Sequence, residues 1–216
     1  MPGFISIDNE IPETACLTIE TVPLPMLATD IRLFMASWLR SPLQIGALVP
    51  SSTVLANCMA AQLDPGNQGT VVELGPGTGT VTRALLARGL EPAQLVIVER
   101  DADFCHLLRN RFPGVQVLHA DARTLQKTLN HRSIAQPTTV VSSLPLLSLD
   151  FQAQREILRQ CIEVLAPGGS LVQFTYGFRS PIHPVLQRRL RLQGAPVARI
   201  MRNLPPAVIW RYQRKH

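Results

Sequence analysis

The fold is decided by the stretch Val71-Val72-Glu73-Leu74-Gly75-Pro76-Gly77-Thr78-Gly79. Its β-branched start leads into a turn with three glycines, and the following residues, Thr80 to Leu86, have the apolar spacing of a helix. A chain that reverses at a strand end needs unusual φ values, and glycine also lets the backbone approach a ligand without a Cβ in the way. We therefore predict a strand, a tight loop and a helix, which is how an α/β sheet binds a nucleotide.

The glycines are spaced G-x-G-x-G, whereas dinucleotide sites have G-x-G-x-x-G. Glu73 comes just before them, where a carboxylate would repel a pyrophosphate but suits a ligand that carries a sulfonium and an ammonium. S-adenosylmethionine is such a ligand. The stretch resembles the first motif of the seven-stranded S-adenosylmethionine-dependent methyltransferases, and this resemblance implies cofactor contacts by Glu73 and by the loop residues Gly75, Pro76, Gly77, Thr78 and Gly79.

Alternating strand and helix patterns follow the loop, which is the sign of a doubly wound sheet. We predict an α/β protein with a seven-stranded, Rossmann-like class I methyltransferase sheet and an N-terminal helical extension. The predicted strands after the first are Leu95 to Glu99, Val115 to Ala122, Thr138 to Val141, Ser170 to Tyr176, and an antiparallel pair at Pro196 to Asn203 and Ala207 to Tyr212.

Two strand-end acids are candidates to hold the nucleoside. Glu99 lies 20 residues after Gly79, where a carboxylate can accept both ribose hydroxyls, although an exposed strand-end acid is the alternative. Asp121 could accept the adenine amino group, and capping of the next helix is an equally good interpretation. Their neighbours Arg100 and Ala122 complete the predicted cofactor site.

Six segments follow one another along the chain: Pro42 to Ser52, the glycine loop, Arg111-Phe112-Pro113, Ser142 to Leu147, Phe174 to Gly177 and Asn203 to Ala207. In this order and spacing they resemble the bacterial phospholipid N-methyltransferases, from about residue 31 to the end. The resemblance implies methylation of phosphatidylethanolamine, and of its mono- and dimethyl forms, towards phosphatidylcholine.

Ser142, Ser143 and Tyr176 are the candidate catalytic residues. In amino-methylating relatives, a polar residue followed by Pro or Leu-Pro stands after the fourth strand and presents oxygens to the target nitrogen. This implies that Ser142 and Ser143 contact the amine, and that Ser142 also contacts the cofactor. Tyr176 is a candidate cation-π partner of the head group. The alternative for the two serines is an ordinary strand exit, and the alternative for Tyr176 is plain core packing.

A second hypothesis is an RNA adenine N6-methyltransferase, because the chain also resembles the ribosomal RNA adenine dimethyltransferases. Those enzymes present Asn-Leu-Pro-Tyr, with the ring stacked on the target base. Here the equivalent is Ser143-Leu144-Pro145-Leu146, which lacks that ring, so no nucleic-acid partner is expected. A third hypothesis is a non-catalytic, cofactor-binding domain that docks on membranes.

Charge and amphipathic patterning favour a membrane surface. The 216 residues carry a net charge of +6, and the part after Glu163 has nine basic residues and no acidic one, so it should seek polyanions such as anionic lipid or RNA. Residues 29–40 place Ile31, Phe34, Met35, Trp38 and Leu39 on one helical face, which suits either a core or a membrane interface.

We divide the chain into an N-terminal arm with helices, residues 1–64, and a methyltransferase domain, residues 65–216. An acidic start and the absence of a long apolar run predict a cytoplasmic protein, peripherally bound to the inner face of the membrane. The four cysteines are scattered, with neither C-x-x-C pairs nor histidines at ligand spacing, so we expect free thiols and no metal site.

Overall fold

The computed structural model describes residues 50–64, 66, 68–201 and 206–215. In these residues six α-helices and seven strands alternate for most of the chain. The helices are α1 (Pro50–Ala60), α2 (Thr80–Ala87), α3 (Ala102–Arg111), α4 (Leu125–His131), α5 (Phe151–Val164) and α6 (Pro184–Arg189). The strands are β1 (Val71–Leu74), β2 (Leu95–Glu99), β3 (Gln116–His119), β4 (Thr139–Ser142), β5 (Ser170–Tyr176), β6 (Leu192–Ile200) and β7 (Ala207–Arg214).

The strands form one sheet with the order β3-β2-β1-β4-β5-β7-β6. Strands β1 to β5 are parallel, whereas β7 is antiparallel to both β5 and β6. The chain order reverses between β1 and β4, and open α/β sheets bind ligands outside the carboxyl ends of their strands at such a point. We call this side of the sheet the carboxyl edge, and the opposite side the amino edge.

Both faces of the sheet are covered, as parallel strands require. On one face α1 packs with α2 and α3, and Met59, Leu85 and Leu108 are fully buried there. On the other face α4, α5 and α6 pack together around Leu125, Leu158 and Leu186. The strands between them are therefore mostly apolar on both sides, and β1 is buried along its whole length.

The structure confirms the predicted fold and most strand positions, and it differs from the sequence interpretation at two places. Strand β6 begins at Leu192, four residues before the predicted start. Helix α6, with Pro184 at its first turn and His183 as its N-cap, was not predicted, because six residues give too short a periodic pattern.

Strand β6 forms one edge of the sheet and is irregular in its middle. The register with β7 shifts between Pro196 and Ala198, which marks a β-bulge. Proline has no N–H to donate, so Pro196 is compatible with an edge strand and not with a central one.

The proposed boundary between residues 64 and 65 remains a prediction. Helix α1 comes before it and packs into the same core as β1 and α2. The candidate membrane helix, residues 29–40, lies outside the described residues. Cys58, Cys105 and Cys161 are buried.

Candidate functional site

The glycine loop joins β1 to α2 at the carboxyl edge of the sheet. Gly75, Gly77 and Gly79 have φ values of 63°, 56° and 83°, which is the left-handed region that favours glycine. A Cβ at Gly77 would point into open space, whereas one at Gly75 would come within 2.6 Å of the Leu144 side chain. Gly77 is therefore the point at which a ligand can approach the backbone of this loop.

The loop is held from behind by the Arg111-Phe112 segment at the end of α3. The Arg111 guanidinium donates to the Thr78 carbonyl oxygen at 2.6 Å. The Phe112 ring lies against Gly79, so closely that a Cβ at Gly79 would collide with it. Sequence reasoning noted this segment only as part of a family pattern, and the structure gives it a physical role in fixing the loop.

Glu73 is fully buried beneath the first turn of α2. The N-cap of this helix is Gly79, which has no side chain to form a hydrogen bond with it. The Glu73 carboxylate does contact the helix, because its Oε2 accepts a hydrogen bond from the Thr82 hydroxyl at 2.7 Å. Its Oε1 is buried without a partner in the described part of the chain. Burial raises the pKa of Glu73 to about 8, despite the hydrogen bonds from Thr82 that favour the carboxylate.

Glu99 ends β2 next to the glycine loop. Its Oε1 accepts from the backbone N–H groups of Arg100 and Asp101 at 2.7 and 2.9 Å, which fixes the carboxylate. Its Oε2 lies 3.5 Å from the Gly77 amide nitrogen. A carboxylate held here presents acceptor atoms beside the open side of the loop, as the prediction for ribose hydroxyls requires.

Asp121 takes the capping role that the sequence left open as its alternative. Its carboxylate accepts from the Arg123 amide at 2.8 Å and pairs with the Arg123 guanidinium at 2.7 Å. Hydrogen bonding to Arg123 lowers the pKa of Asp121. Ala122 begins the short 3-10 helix that Asp121 caps, and the Arg100 carbonyl oxygen lies 3.0 Å from the His119 ring. An adenine contact by Asp121 stays a prediction.

The two candidate serines lie at the carboxyl edge next to β1, where Ser142 ends β4 and Ser143 begins the segment that follows it. Ser142 pairs with Leu74 of β1, and its hydroxyl accepts from the Leu144 amide at 3.3 Å. The Ser143 hydroxyl is buried and has no partner in the described residues. The Ser143 side chain therefore has hydrogen-bonding capacity to offer to a ligand.

Two buried glutamines fix this segment, and sequence reasoning missed both. The Gln173 amide on β5 donates to the Leu144 carbonyl oxygen at 3.0 Å, and the Gln154 amide on α5 donates to the Leu146 carbonyl oxygen at 3.0 Å. Gln154 also donates to the Pro181 carbonyl oxygen at 3.2 Å. A glutamine within an apolar strand or on the buried face of a helix is the signal that could have identified them.

Tyr176, at the end of β5, is half-buried, and its ring meets that of Phe174 edge-on, with 5.5 Å between the ring centroids. Both rings line a small, mainly apolar cavity. The remaining lining residues are Leu144, Pro145, Leu146, Leu147, Ser148, Thr175 and Pro181. Tyr176 therefore contacts the core, as the alternative interpretation held, and it also faces a cavity next to the candidate serines.

The basic residues of the last quarter do not form one surface. Arg179 follows β5 at the carboxyl edge, whereas Arg188, Arg191 and Lys215 line a groove at the amino edge. Arg211, in the middle of β7, pairs with Asp64 at 2.9 Å. The basic residues are separated because β6 and β7 run between the two edges of the sheet in opposite directions. Seven residues of a strand span on the order of 20 Å, so residues close in sequence lie at opposite edges.

These residues fit S-adenosylmethionine. Gly77 leaves the loop backbone open to contact by this ligand. The fixed carboxylate of Glu99 suits its hydroxyl groups, and the unpartnered Oε1 of Glu73 suits its positive charge. None of these groups offers a cation for a pyrophosphate. Within the described residues no group of His, Cys, Asp and Glu side chains could hold a metal ion.

Comparison with known proteins gives two kinds of sequence relative. Residues 50–174 match the ribosomal RNA adenine dimethylase family. An ornithine lipid N-methyltransferase of Singulisphaera acidiphila is 36% identical over 82% of this chain and 93% of its own length. A ribosomal RNA small subunit methyltransferase A of Synechococcus sp. is 35% identical over 52% of this chain, which spans only 36% of that relative.

Solved structures agree on the fold. The glycopeptide N-methyltransferase MtfA, complexed with S-adenosylmethionine, has a TM-score of 0.59 at 17% identity, over 76% of this chain and 94% of its own. The 1,6-didemethyltoxoflavin-N1-methyltransferase of Burkholderia thailandensis has a TM-score of 0.62 at 15% identity, over 90% and 94%. The fold is therefore that of a class I methyltransferase, and S-adenosylmethionine is its cofactor.

Proposed function

This chain belongs to the ribosomal RNA adenine dimethylase family, and from that premise we propose that this S-adenosylmethionine-dependent methyltransferase acts on the amine of a membrane lipid. The substrates that we propose are phosphatidylethanolamine and its mono- and dimethyl forms, with other amine-bearing lipid head groups in the same class. The ornithine lipid N-methyltransferase relative, matched over 93% of its length, supports a lipid amine.

The observation that carries this proposal is Leu146. It stands where the resembling RNA enzymes carry the ring that stacks on a flipped base, and here its side chain is aliphatic and buried in the core beside α5. A planar base would lose that stacking, which is worth roughly 1–3 kcal/mol per base. An aliphatic amine needs no such partner.

The target nitrogen must be unprotonated, because an ammonium has no lone pair to attack a methyl group. We assign Ser143 to hold it, since its buried hydroxyl has no partner in the described residues and can accept an N–H. Tyr176 and Phe174 would lie against the head group and stabilise the methylated ammonium through cation-π contact. Their apolar surroundings also disfavour the protonated amine.

Bound S-adenosylmethionine supplies an electrophilic methyl group on sulfur. The chain positions the two reactants. The cofactor is held by Glu73, Glu99 and the glycine loop, with Asp121, Arg100, Ala122 and Ser142 as further candidates. Gln173 and Gln154 hold the amine-binding segment. Bringing two reactants together in this way accounts for much of the rate acceleration in transfers of this kind.

The second candidate is an RNA adenine N6-methyltransferase, because the family match and the Synechococcus relative both point to ribosomal RNA. A competition assay separates the two. Purified protein receives labelled S-adenosylmethionine, vesicles that contain phosphatidylethanolamine, and ribosomal RNA. We expect label in the lipid fraction, and less of it with Ser143→Ala. Label in RNA alone would establish the second candidate.

We also propose that the protein binds the membrane peripherally at its cytoplasmic face. Among the described residues, no helix has the length and apolar character needed to cross a membrane. The contribution of the candidate helix at 29–40 can be measured directly. If its stripe faces lipid, Phe34→Ala with Trp38→Ala should weaken sedimentation with anionic vesicles and leave the melting temperature unchanged. If the stripe is core, the same pair should unfold the protein.

A further inference from the structure

Three large apolar side chains are exposed at the carboxyl edge of the sheet. Phe178 is 55% exposed, Phe151 44% and Leu147 36%. We call these three residues the apolar rim. Large apolar side chains are usually buried, so several of them in one place mark a surface that meets something other than water.

The rim residues lie on the segments that form or fix the proposed amine site. Leu147 lines the cavity that also contains Tyr176, and Phe178 comes two residues after Tyr176. Phe151 begins α5, at the end of the helix that fixes the amine-binding segment, and its ring meets that of His183 edge-on at 5.7 Å. A surface seated on the rim would therefore cover the mouth of this cavity.

Positive charge accompanies the rim. Arg179 follows Phe178 and is exposed, and Arg155 is exposed one helical turn after Phe151, on the same side of α5. Of the acidic residues near Arg155 in sequence, Asp150 accepts from the Ala153 amide as the N-cap of α5, and Glu156 pairs with Arg159 at 3.3 Å. Exposed aromatic and aliphatic side chains next to arginines are the pattern of a surface that enters the boundary between acyl chains and anionic head groups.

We infer that the apolar rim is the membrane-docking surface, with an anionic lipid bilayer as its occupant. This inference rests on the proposed function, since a lipid amine that stays in its bilayer can reach Ser143 only if the membrane lies at this edge. The basic groove of Arg188, Arg191 and Lys215 cannot fulfil that role, because it lies at the amino edge.

The test is a double variant, Phe151→Ser with Phe178→Ser, called the rim variant; it leaves Leu147 in place, because Leu147 also lines the proposed amine cavity. Its matched control neutralises the amino edge with Arg188→Gln, Arg191→Gln and Lys215→Gln. Both are measured by sedimentation with vesicles of phosphatidylglycerol and phosphatidylcholine, with neither methyl donor nor amine substrate present. We expect the rim variant to bind at least about tenfold more weakly than the natural protein, and the control to lose no more than about threefold.

Activity gives a second readout. The rim variant should lose methyl transfer to phosphatidylethanolamine in vesicles but keep transfer to a short-chain, water-soluble phosphatidylethanolamine. Vesicle binding equal to that of the natural protein would overturn the inference. So would a changed melting temperature with unchanged binding, which would mean that another part of the chain covers the rim. The proposed function fails separately, if the natural protein docks through the rim but methylates neither lipid.

Discussion

Replacement of Glu73 by Gln tests the electrostatics of the cofactor site most directly. Burial raises the pKa of Glu73 from 4.5 to about 8. In the folded protein the carboxyl group therefore holds its proton up to about pH 8, whereas in the unfolded chain it loses the proton near pH 4.5. The free energy of unfolding must fall as the pH rises between these two values, by about 1.4 kcal/mol for each pH unit.

Across the whole window this loss is of the order of 5 kcal/mol, a large part of a domain's stability. Glu73→Gln cannot lose a proton, and its amide oxygen can still accept from Thr82. The new Nε2 takes the place of Oε1, which is buried without a partner in the described residues, and a buried donor left unpaired costs roughly 1–3 kcal/mol at every pH. The variant is therefore less stable than the natural protein at pH 5.5, and it gains relative stability as the pH rises.

The measurement is urea unfolding of both proteins without cofactor at pH 5.5, 6.5, 7.5 and 8.5. Other titrating groups are common to the two proteins and cancel in the difference between them. A difference in unfolding free energy that stays constant over this range would refute the reasoning about Glu73. With S-adenosylmethionine the natural protein should release a proton on binding, because a neighbouring positive charge favours the Glu73 carboxylate. The variant should not.

Three further predictions concern the loop and the amine-binding segment. Glu99→Ala should bind S-adenosylmethionine more weakly than the natural protein, as measured by calorimetry, and an unchanged affinity would show that Glu99 is not part of the site. Neither the variant nor the natural protein should bind NAD. Gly79→Ala should destabilise the protein by about 1–3 kcal/mol in a thermal melt, because its Cβ meets Phe112 and its φ is positive, whereas an unchanged melt would contradict this packing. Gln173→Leu should reduce kcat more than it changes cofactor affinity, since the Leu144 carbonyl loses its donor; equal losses of both would mean a general structural role.

The sequence predicted the parallel sheet well because each of its signals is local. The glycine loop and the apolar runs of β2 and β5 each identify an element without reference to the rest of the chain. Placing the cofactor residues at the carboxyl edge then follows from the alternation of strands and helices. The candidates Glu99 and Ser142 came together at this edge for that reason.

What could not be predicted depends on contacts between distant residues. Gln173 and Leu144 are 29 residues apart, and Arg111 reaches Thr78 across 33 residues. Glu73 was assigned to the cofactor from its place before the glycines, whereas its bond to Thr82 becomes visible only when α2 lies over β1. The separation of the basic residues after Glu163 could not be predicted either, because charge along a sequence does not show which edge of the sheet each residue reaches.

The bulge in β6 has a consequence for how copies of this protein behave at high concentration. An edge strand with a regular row of outward amides is a template on which a second chain can extend the sheet. At Pro196 that row lacks a donor, and the register shift before Ala198 bends the backbone away from a flat ladder. The opposite edge, β3, is only four residues long. Both edge strands are therefore poor templates for cross-β aggregation, and this favours a protein that stays dispersed at high concentration.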